Sequence, residues 1–261
     1  MLTSAPGDPV RVDVLGVGVS AVNPESAVAR ISRWIETGER SYVCVTGVHG
    51  VMESQRDPAL RRIHNASGLT VPDGMPMVWA GHRAGAPWMR QVRGADLMLA
   101  VLERAAERGW SSYLYGGAEG VPELLEGALL RRIPGLKIAG CHSPPFRPLT
   151  VEEDEAVVRR INDSGADLVW VGLSTPKQER WMAEHRARLD AAVLCGVGAA
   201  FDFHAGLVPQ APEWTRQRGL EWSYRLYKEP RRLWRRYLRN NPAYVVRTAL
   251  RPPKLLGRGE A

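Results

Sequence analysis

Asp73 stands one residue past a short apolar run, in Val71-Pro72-Asp73-Gly74-Met75-Pro76. A carboxylate fixed there could take the proton of an attacking hydroxyl, provided the two lie within hydrogen-bond reach. Pro-Asp-Gly is also strongly turn-prone, and an aspartate in it can simply cap its own backbone. Gln178 poses the same choice. In Ser174-Thr175-Pro176-Lys177-Gln178 the threonine reads as a helix N-cap, the proline as the first helical residue and the glutamine as the returning arm of a capping box. An amide at a helix start can equally bond a base or a sugar edge. Asp202, between Phe201 and Phe203, reads either as a buried carboxylate satisfied by backbone donors or as a ligand for hydroxyls. Tyr115-Gly116-Gly117-Ala118-Glu119-Gly120-Val121 suits a phosphate, because glycines let backbone N–H groups approach an anion where a helix begins. A plain strand-to-helix turn would use the same residues.

The elements that must carry these residues alternate short β-rich runs with helices. Residues 10–17, 41–46, 69–71, 111–115, "LKIAG", "DLVWVGL" and "AAVLCGV" read as strands. Helices are expected from Asn23-Pro24 to Gly38, after Asp57-Pro58, over about 75–83 and 95–108, and from the Thr150/Glu153 capping box to about Ser164. Repeated βα units of this length imply an α/β fold with a Rossmann-like, mostly parallel sheet covered by helices on both faces. In such sheets ligands gather beyond the carboxyl ends of the strands. The exits are Thr46 to His49, Pro72 to Gly74, Tyr115 to Gly117, Gly172 to Gln178 and Gly196 to Asp202.

Charge is concentrated at one end. Residues 214–261 hold thirteen Lys or Arg against three Asp or Glu, a net of +10, while the whole chain is +7. The remainder is therefore −3, and the anionic partner that such a charge attracts belongs to the tail. After Pro230, Leu233, Trp234, Tyr237 and Leu238 recur in helical register among Arg231, Arg232, Arg235, Arg236 and Arg239. That pattern suits a helix lying in a lipid headgroup layer, and suits equally a surface helix with solvated arginines. The expected division is an α/β core over 1–208 and a basic amphipathic appendage over 209–261. No stretch approaches the ~18 apolar residues of a membrane span. The N-terminus lacks a signal-peptide pattern. Cys44, Cys141 and Cys195 have no paired spacing, which fits a reducing cytoplasm.

"GVGVSA" (16–21) matches the glycine pattern of dinucleotide-binding turns. The helix that should open there starts only at Asn23-Pro24, and the second strand ends in Thr46 where an acidic ribose ligand would stand. A nicotinamide-dependent reductase is thus the first rival reading, and a module holding RNA or another polyanion on the tail is the second. The six histidines are scattered, and Asp202 with His204 is too little for a metal site.

Together "PDG", "RGADL" (93–97), "YGGAEGV", "PGLKIAG" (134–140), "DLVWVGLSTPKQERW", "VGAAFDFHAG" and "GLEWSYRLYKEPRRLWRRYL" resemble the bacterial WecG/TagA/CpsF glycosyltransferase family, from about Val12 to Tyr237. The resemblance implies inverting transfer of an N-acetylmannosamine-type or related sugar from a UDP-sugar donor to a polyprenyl-diphosphate-linked sugar acceptor. It implies no required metal and no other cofactor. It makes Asp73 the general base, places Thr46 and Gln178 among the reacting groups, and gives Asp202 a donor-nucleotide contact. His49, Gln91, Arg93, Tyr115, Gly116, Gly117, Glu119, Gly172 and Gly198 are the accompanying substrate-binding candidates. In the family the appendage binds membrane and brings arginines to the donor diphosphate, a role that falls here on Arg225, Arg231 and Arg232. The implied setting is the cytoplasmic face of the plasma membrane, with an anionic lipid surface and no nucleic acid as partner, and with self-association left open. The sequence departs from the family at Thr46-Gly47-Val48-His49, where an asparagine is usual, at Gln91 and Gln210 for arginine, and at Ser174 for glycine.

Overall fold

The computed structural model describes residues 9–212, 215, 219–228 and 230–257, with the backbone alone at Arg225 and Arg232. Internal packing divides the chain into two compact units, one from the segment up to Pro24, Thr46–Arg93 and the segment from Pro209, the other from Glu25–Val45 and Gly94–Val208.

The second unit holds most of the alternating pattern. Its helices are α1 (Pro24–Thr37), α5 (Gly94–Arg108), α6 (Val121–Arg132), α7 (Val151–Asp163), α8 (Lys177–His185) and α9 (Ala200–His204), and its strands are β3 (Ser41–Thr46), β5 (Ser111–Gly116), β6 (Lys137–His142), β7 (Leu168–Gly172) and β8 (Val193–Gly196). These strands run parallel in the order β3-β8-β7-β5-β6. The buried runs Leu-Val-Trp-Val of β7 and Val-Leu-Cys-Gly of β8 are uniformly apolar because helices cover a parallel sheet on both faces. The α/β class expected from the alternation is the one found. Thr150 caps α7 as anticipated: its hydroxyl accepts from Glu153 N at 3.2 Å, and Glu153 Oε2 accepts from Thr150 N at 2.9 Å. Such a cap contributes about 1 kcal/mol.

The first unit departs from the expected pattern. The run 10–17, read as one strand, is a hairpin of β1 (Arg11–Val14) and β2 (Val17–Ser20). Leu15 and Gly16 turn it with φ of 56° and 87°, the left-handed pair that a two-residue hairpin requires. Asn65 fastens the turn, accepting from Gly18 N at 2.9 Å and donating to Gly16 O at 3.0 Å. The glycine pattern 16–21 is therefore a hairpin and not a strand-to-helix phosphate turn, which removes the dinucleotide reading. The far edge of β1 pairs with β9 (Lys254–Leu256), giving an antiparallel order β2-β1-β9.

This unit also contains α2 (Val48–Ser54), α3 (Pro58–Ala66), β4 (Leu69–Pro72), α4 (Met75–Arg83), α10 (Glu221–Lys228) and α11 (Pro230–Leu250). Asp57 caps α3, accepting from Ala59 N and Leu60 N at 2.9 and 3.1 Å. Val12, Val14, Val17, Val19, Met52, Met77 and Met89 form the core, joined by Tyr244 of α11. Leu233, Asn240 and Tyr244 turn the inner face of α11 toward this unit, while Arg231, Trp234, Arg235, Leu238 and Arg239 are exposed. The apolar residues of the tail thus split: Leu233 packs inward and Trp234 and Leu238 stand outside among arginines.

Candidate active site

In the second unit three strand ends lie side by side. The register sets Gly116 of β5 opposite Gly172 of β7, and Val171 opposite Gly196 of β8. Gly116 adopts φ 121°, and a Cβ on it would stand 2.7–2.9 Å from the backbone of Gly172. No other residue fits that approach. Gly117, with φ 78°, donates from its N–H to Gly172 O at 3.0 Å and accepts from Ser143 Oγ at 2.8 Å through its carbonyl. The chain then exposes Ala118, Glu119 and Gly120, and α6 begins at Gly120 without a side-chain cap. Val121 N donates back to Ala118 O at 3.0 Å and Pro122 has no N–H, so this helix start favours an anion chiefly through its dipole and the close approach that the glycines allow. Tyr115 does not line this surface. It is 1% exposed, its ring stacks on Trp181 at 4.3 Å, and burial pushes its phenol above the ordinary value.

Gly172 and Gly198 flank the next loop. The Phe201 ring lies so close to Gly172 that a Cβ there would meet it at 2.7 Å. Asp202 follows, half-buried in α9. Ser174 takes φ 62°, the Thr175–Pro176 peptide is cis, and α8 starts at Lys177. The capping box expected of Thr175 and Gln178 is absent. Thr175 Oγ1 donates instead to Glu179 Oε1 at 2.8 Å, and Gln178 Nε2 donates to the same oxygen at 3.2 Å. Gln178 is 3% exposed and Glu179 wholly buried. Gln178 Oε1 and Glu179 Oε2 have no hydrogen-bond partner. Burial raises the Glu179 carboxyl above its ordinary range, against the hydrogen bond from Thr175. Gln178 thus turns its donor to Glu179 and keeps its carbonyl oxygen on the Gly198 side, where a Cβ on Gly198 would stand 3.4 Å away. Glu179 stands in the Pro-Lys-Gln-Glu stretch that carries the family resemblance, but spacing alone gives it no role of its own.

In the first unit backbone hydrogen bonds gather the other candidates. Asp73 N donates to Thr46 O at 2.9 Å, and Val92 N, between Gln91 and Arg93, donates to Pro72 O at 2.8 Å. Gly47 is required because a Cβ there would fall 2.6 Å from Asp73 O. Asp73, Gln91 and Arg93 are half-buried, whereas Thr46 is 1% exposed with an unpartnered Oγ1. Gly74, with φ 94°, turns the chain from Asp73 into α4. His49 sits in the first turn of α2, one turn above Glu53. Arg231 is exposed at the start of α11, and the side chains of Arg225 and Arg232 lie outside the described residues. Among the described residues no group of three or more His, Cys, Asp or Glu is arranged to hold a metal ion. No helix among them is long and apolar enough to cross a membrane.

The sequence profile of the Glycosyl transferase WecG/TagA/CpsF family matches residues 12–256. The chain belongs to this family. Similar proteins include the N-acetylglucosaminyldiphosphoundecaprenol N-acetyl-beta-D-mannosaminyltransferase of Staphylococcus aureus (strain MW2), 28% identical over 92% of this chain and 92% of that protein. The enzyme of the same name from Bacillus spizizenii is 29% identical over 82% of this chain and 80% of its own length. The chain is therefore a glycosyltransferase. In open α/β folds ligands collect at the strand ends of the parallel sheet, and in the second unit those ends carry Gly116, Gly117, Gly172, Gln178 and Asp202.

Proposed function

We propose that this glycosyltransferase moves an acetamido sugar or a close relative from a UDP-sugar to a sugar linked to polyprenyl diphosphate, in the assembly of a bacterial cell-envelope polysaccharide. Support comes from its relatives, named as enzymes that transfer N-acetylmannosamine to a diphosphoundecaprenol-linked N-acetylglucosamine. The observation that carries the reading is the backbone lacing of Asp73 to Thr46, which holds a half-buried carboxylate at a strand end.

Asp73 removes the proton from the acceptor hydroxyl as its oxygen attacks the anomeric carbon. The bond from that carbon to the diphosphate oxygen breaks, its electron pair leaves with UDP, and the configuration inverts. The glycine turns at Gly116-Gly117 and Gly172 with the start of α6 receive the nucleotide diphosphate, and Asp202 and Gln178 serve the donor side. Arginines of the tail, Arg225, Arg231 and Arg232, stabilise the charge developing on the leaving group. This chemistry asks for no divalent cation. The exposed basic face of α11 holds the enzyme at an anionic membrane surface, peripherally and on the cytoplasmic side.

The test is a UDP-release screen over UDP-acetamido sugars, UDP-hexoses and UDP-uronic acids, with a short-chain polyprenyl-diphosphate sugar as acceptor, in the presence and absence of EDTA. Acceptor-dependent release that survives EDTA is expected. Release independent of acceptor, or none from any UDP-sugar, would overturn the reading. The hexose and uronic-acid arms matter because His49, Gln91, Gln210 and Ser174 depart from the family pattern.

A further inference from the structure

His49 is joined to the tail helix by a chain of polar contacts whose hydrogen-bond directions are fixed from one end. Arg56 Nη1 donates to Glu53 Oε1 at 2.6 Å, and Arg56 Nη2 donates to Asn240 Oδ1 at 2.9 Å. Guanidinium nitrogens only donate, so the Asn240 atom facing Arg56 is its carbonyl oxygen. The Asn240 amide nitrogen must then face His49, and it lies 3.2 Å from His49 Nδ1. That nitrogen also only donates, so Nδ1 must accept, and in a neutral ring the proton then sits on Nε2. Rotating the amide would set N–H groups of Asn240 against the Arg56 guanidinium at 2.9 Å and lose that bond, so the Arg56 contact selects the orientation in which the amide nitrogen faces Nδ1. Asn240 is 3% exposed, so water cannot readily replace either partner.

We infer that Asn240, oriented by Arg56, is a positioning residue that holds His49 as the neutral Nε2–H tautomer, an uncharged donor for an oxygen of the acceptor substrate. The other ring contact agrees, because Glu53 Oε1 lies 3.8 Å from Nδ1, beyond hydrogen-bond range. Burial, aided by Arg236 and Arg56 and opposed by Glu53, brings His49 down to about 4, so the ring is neutral at physiological pH. The contact with the acceptor rests on the proposed transfer reaction, whereas the tautomer does not. The contact also ties the basic helix α11 to α2, the helix that follows Thr46 and Gly47, so the lipid-facing element and the acceptor-side donor are mechanically connected within one unit.

The experiment is long-range ¹H–¹⁵N NMR of the full-length protein at pH 7, with the His49 ring assigned by comparison with His49→Gln. Without substrate, wild type should show Nε2 protonated and Nδ1 bare. Asn240→Asp supplies an acceptor in place of the amide nitrogen, so its His49 should switch to the Nδ1–H form or become doubly protonated. In the Nδ1–H form Nε2 no longer donates, and the acceptor KM should then rise about tenfold, as a misdirected hydrogen bond costs about 1.4 kcal/mol, with UDP affinity unchanged. A role in packing alone would leave the tautomer as in wild type. A short-chain polyprenyl diphosphate that shifts the Nε2 signal without its sugar assigns the oxygen to the diphosphate, and a shift that needs the sugar assigns it to a hydroxyl. An Nδ1–H ring in wild type, an Asn240→Asp tautomer like that of wild type, or a signal indifferent to both acceptors would overturn the inference. If wild type has the expected tautomer yet transfers from no UDP-sugar, the proposed reaction fails and the lock stands.

Discussion

The glycine turns of the second unit and the strand ends of the first recruit residues in opposite ways. At Gly116, Gly117 and Gly172 the chain makes room by having no side chain, and next to them α6 starts without a side-chain cap. Around Asp73, Thr46, His49 and Gln91 it offers side chains, each held by backbone lacing or by a neighbour such as Asn240. The difference teaches where each half of the reaction is vulnerable. On the proposed reading, nucleotide affinity would depend on strand register, whereas proton transfer and acceptor contact would depend on groups that can be replaced without disturbing the sheet.

The sharpest way to break this contrast is Asp73→Asn. It keeps volume and hydrogen-bonding size, so turnover should fall about a hundredfold or more, the scale for loss of a positioned base, while UDP affinity measured by calorimetry stays within about twofold. Weakened UDP binding with near-normal turnover would place Asp73 on the donor side and collapse the division. Next in size is the tail. Replacing the exposed Arg231, Arg235 and Arg239 together by Gln removes about 1 kcal/mol each at an anionic surface, and should lower partition onto phosphatidylglycerol vesicles about a hundredfold. Unchanged partition would show that α11 does not meet lipid through this face. The substitutions leave Leu233, Asn240 and Tyr244 in place, whereas truncation at residue 214 would strip the first unit of α11 and of the β9 strand paired with β1.

A smaller effect separates two glycines of one turn. Gly116→Ala forces a Cβ against the Gly172 backbone at 2.7–2.9 Å, whereas Gly120, with φ 81°, has open space around it. Gly116→Ala should weaken UDP by about tenfold or more and lower the unfolding midpoint, because strain of about 1–3 kcal/mol adds to a displaced strand end. Gly120→Ala carries only the left-handed backbone cost of about 1–2 kcal/mol. Equal effects on UDP would mean that backbone conformation, and not the close approach, shapes the turn.

Periodicity made the parallel sheet readable because Val-Ile-Leu runs covered on both faces look alike wherever they occur. Caps such as Asp57 and Thr150 were readable because their chemistry is local. The hairpin at Leu15-Gly16 was missed because alternation continues straight through the turn, and a leucine at positive φ gives no warning. β9 was missed for another reason: three residues have no periodicity, and their partner lies more than two hundred positions away. The site shows the same divide. Residues at strand ends followed from topology, but the replacement of the Gln178 capping box by a clamp on Glu179, and the Asn240 contact with His49, depend on side-chain directions that no spacing encodes.

The two units should also differ in how they respond to acid. In the first unit burial brings both His49 and His64 down to about 4 from the ordinary 6.5. His64 is fully buried with an unpartnered Nε2. A group depressed on folding binds fewer protons in the native state, so its stabilisation is complete above about pH 6.5 and is lost as pH falls toward 4. Glu179 of the second unit has the opposite sign: its carboxyl is raised by burial, so its contribution is present in acid and is lost as pH rises through its folded value. Urea midpoints at pH 7, 6, 5 and 4 should therefore decline, with at most ~1.4 kcal/mol per pH unit from each histidine. His64→Leu removes one titrating group and should flatten that slope whatever it does to stability at pH 7. A slope as steep as that of wild type would mean that His64 is not the acid-sensitive point of the first unit.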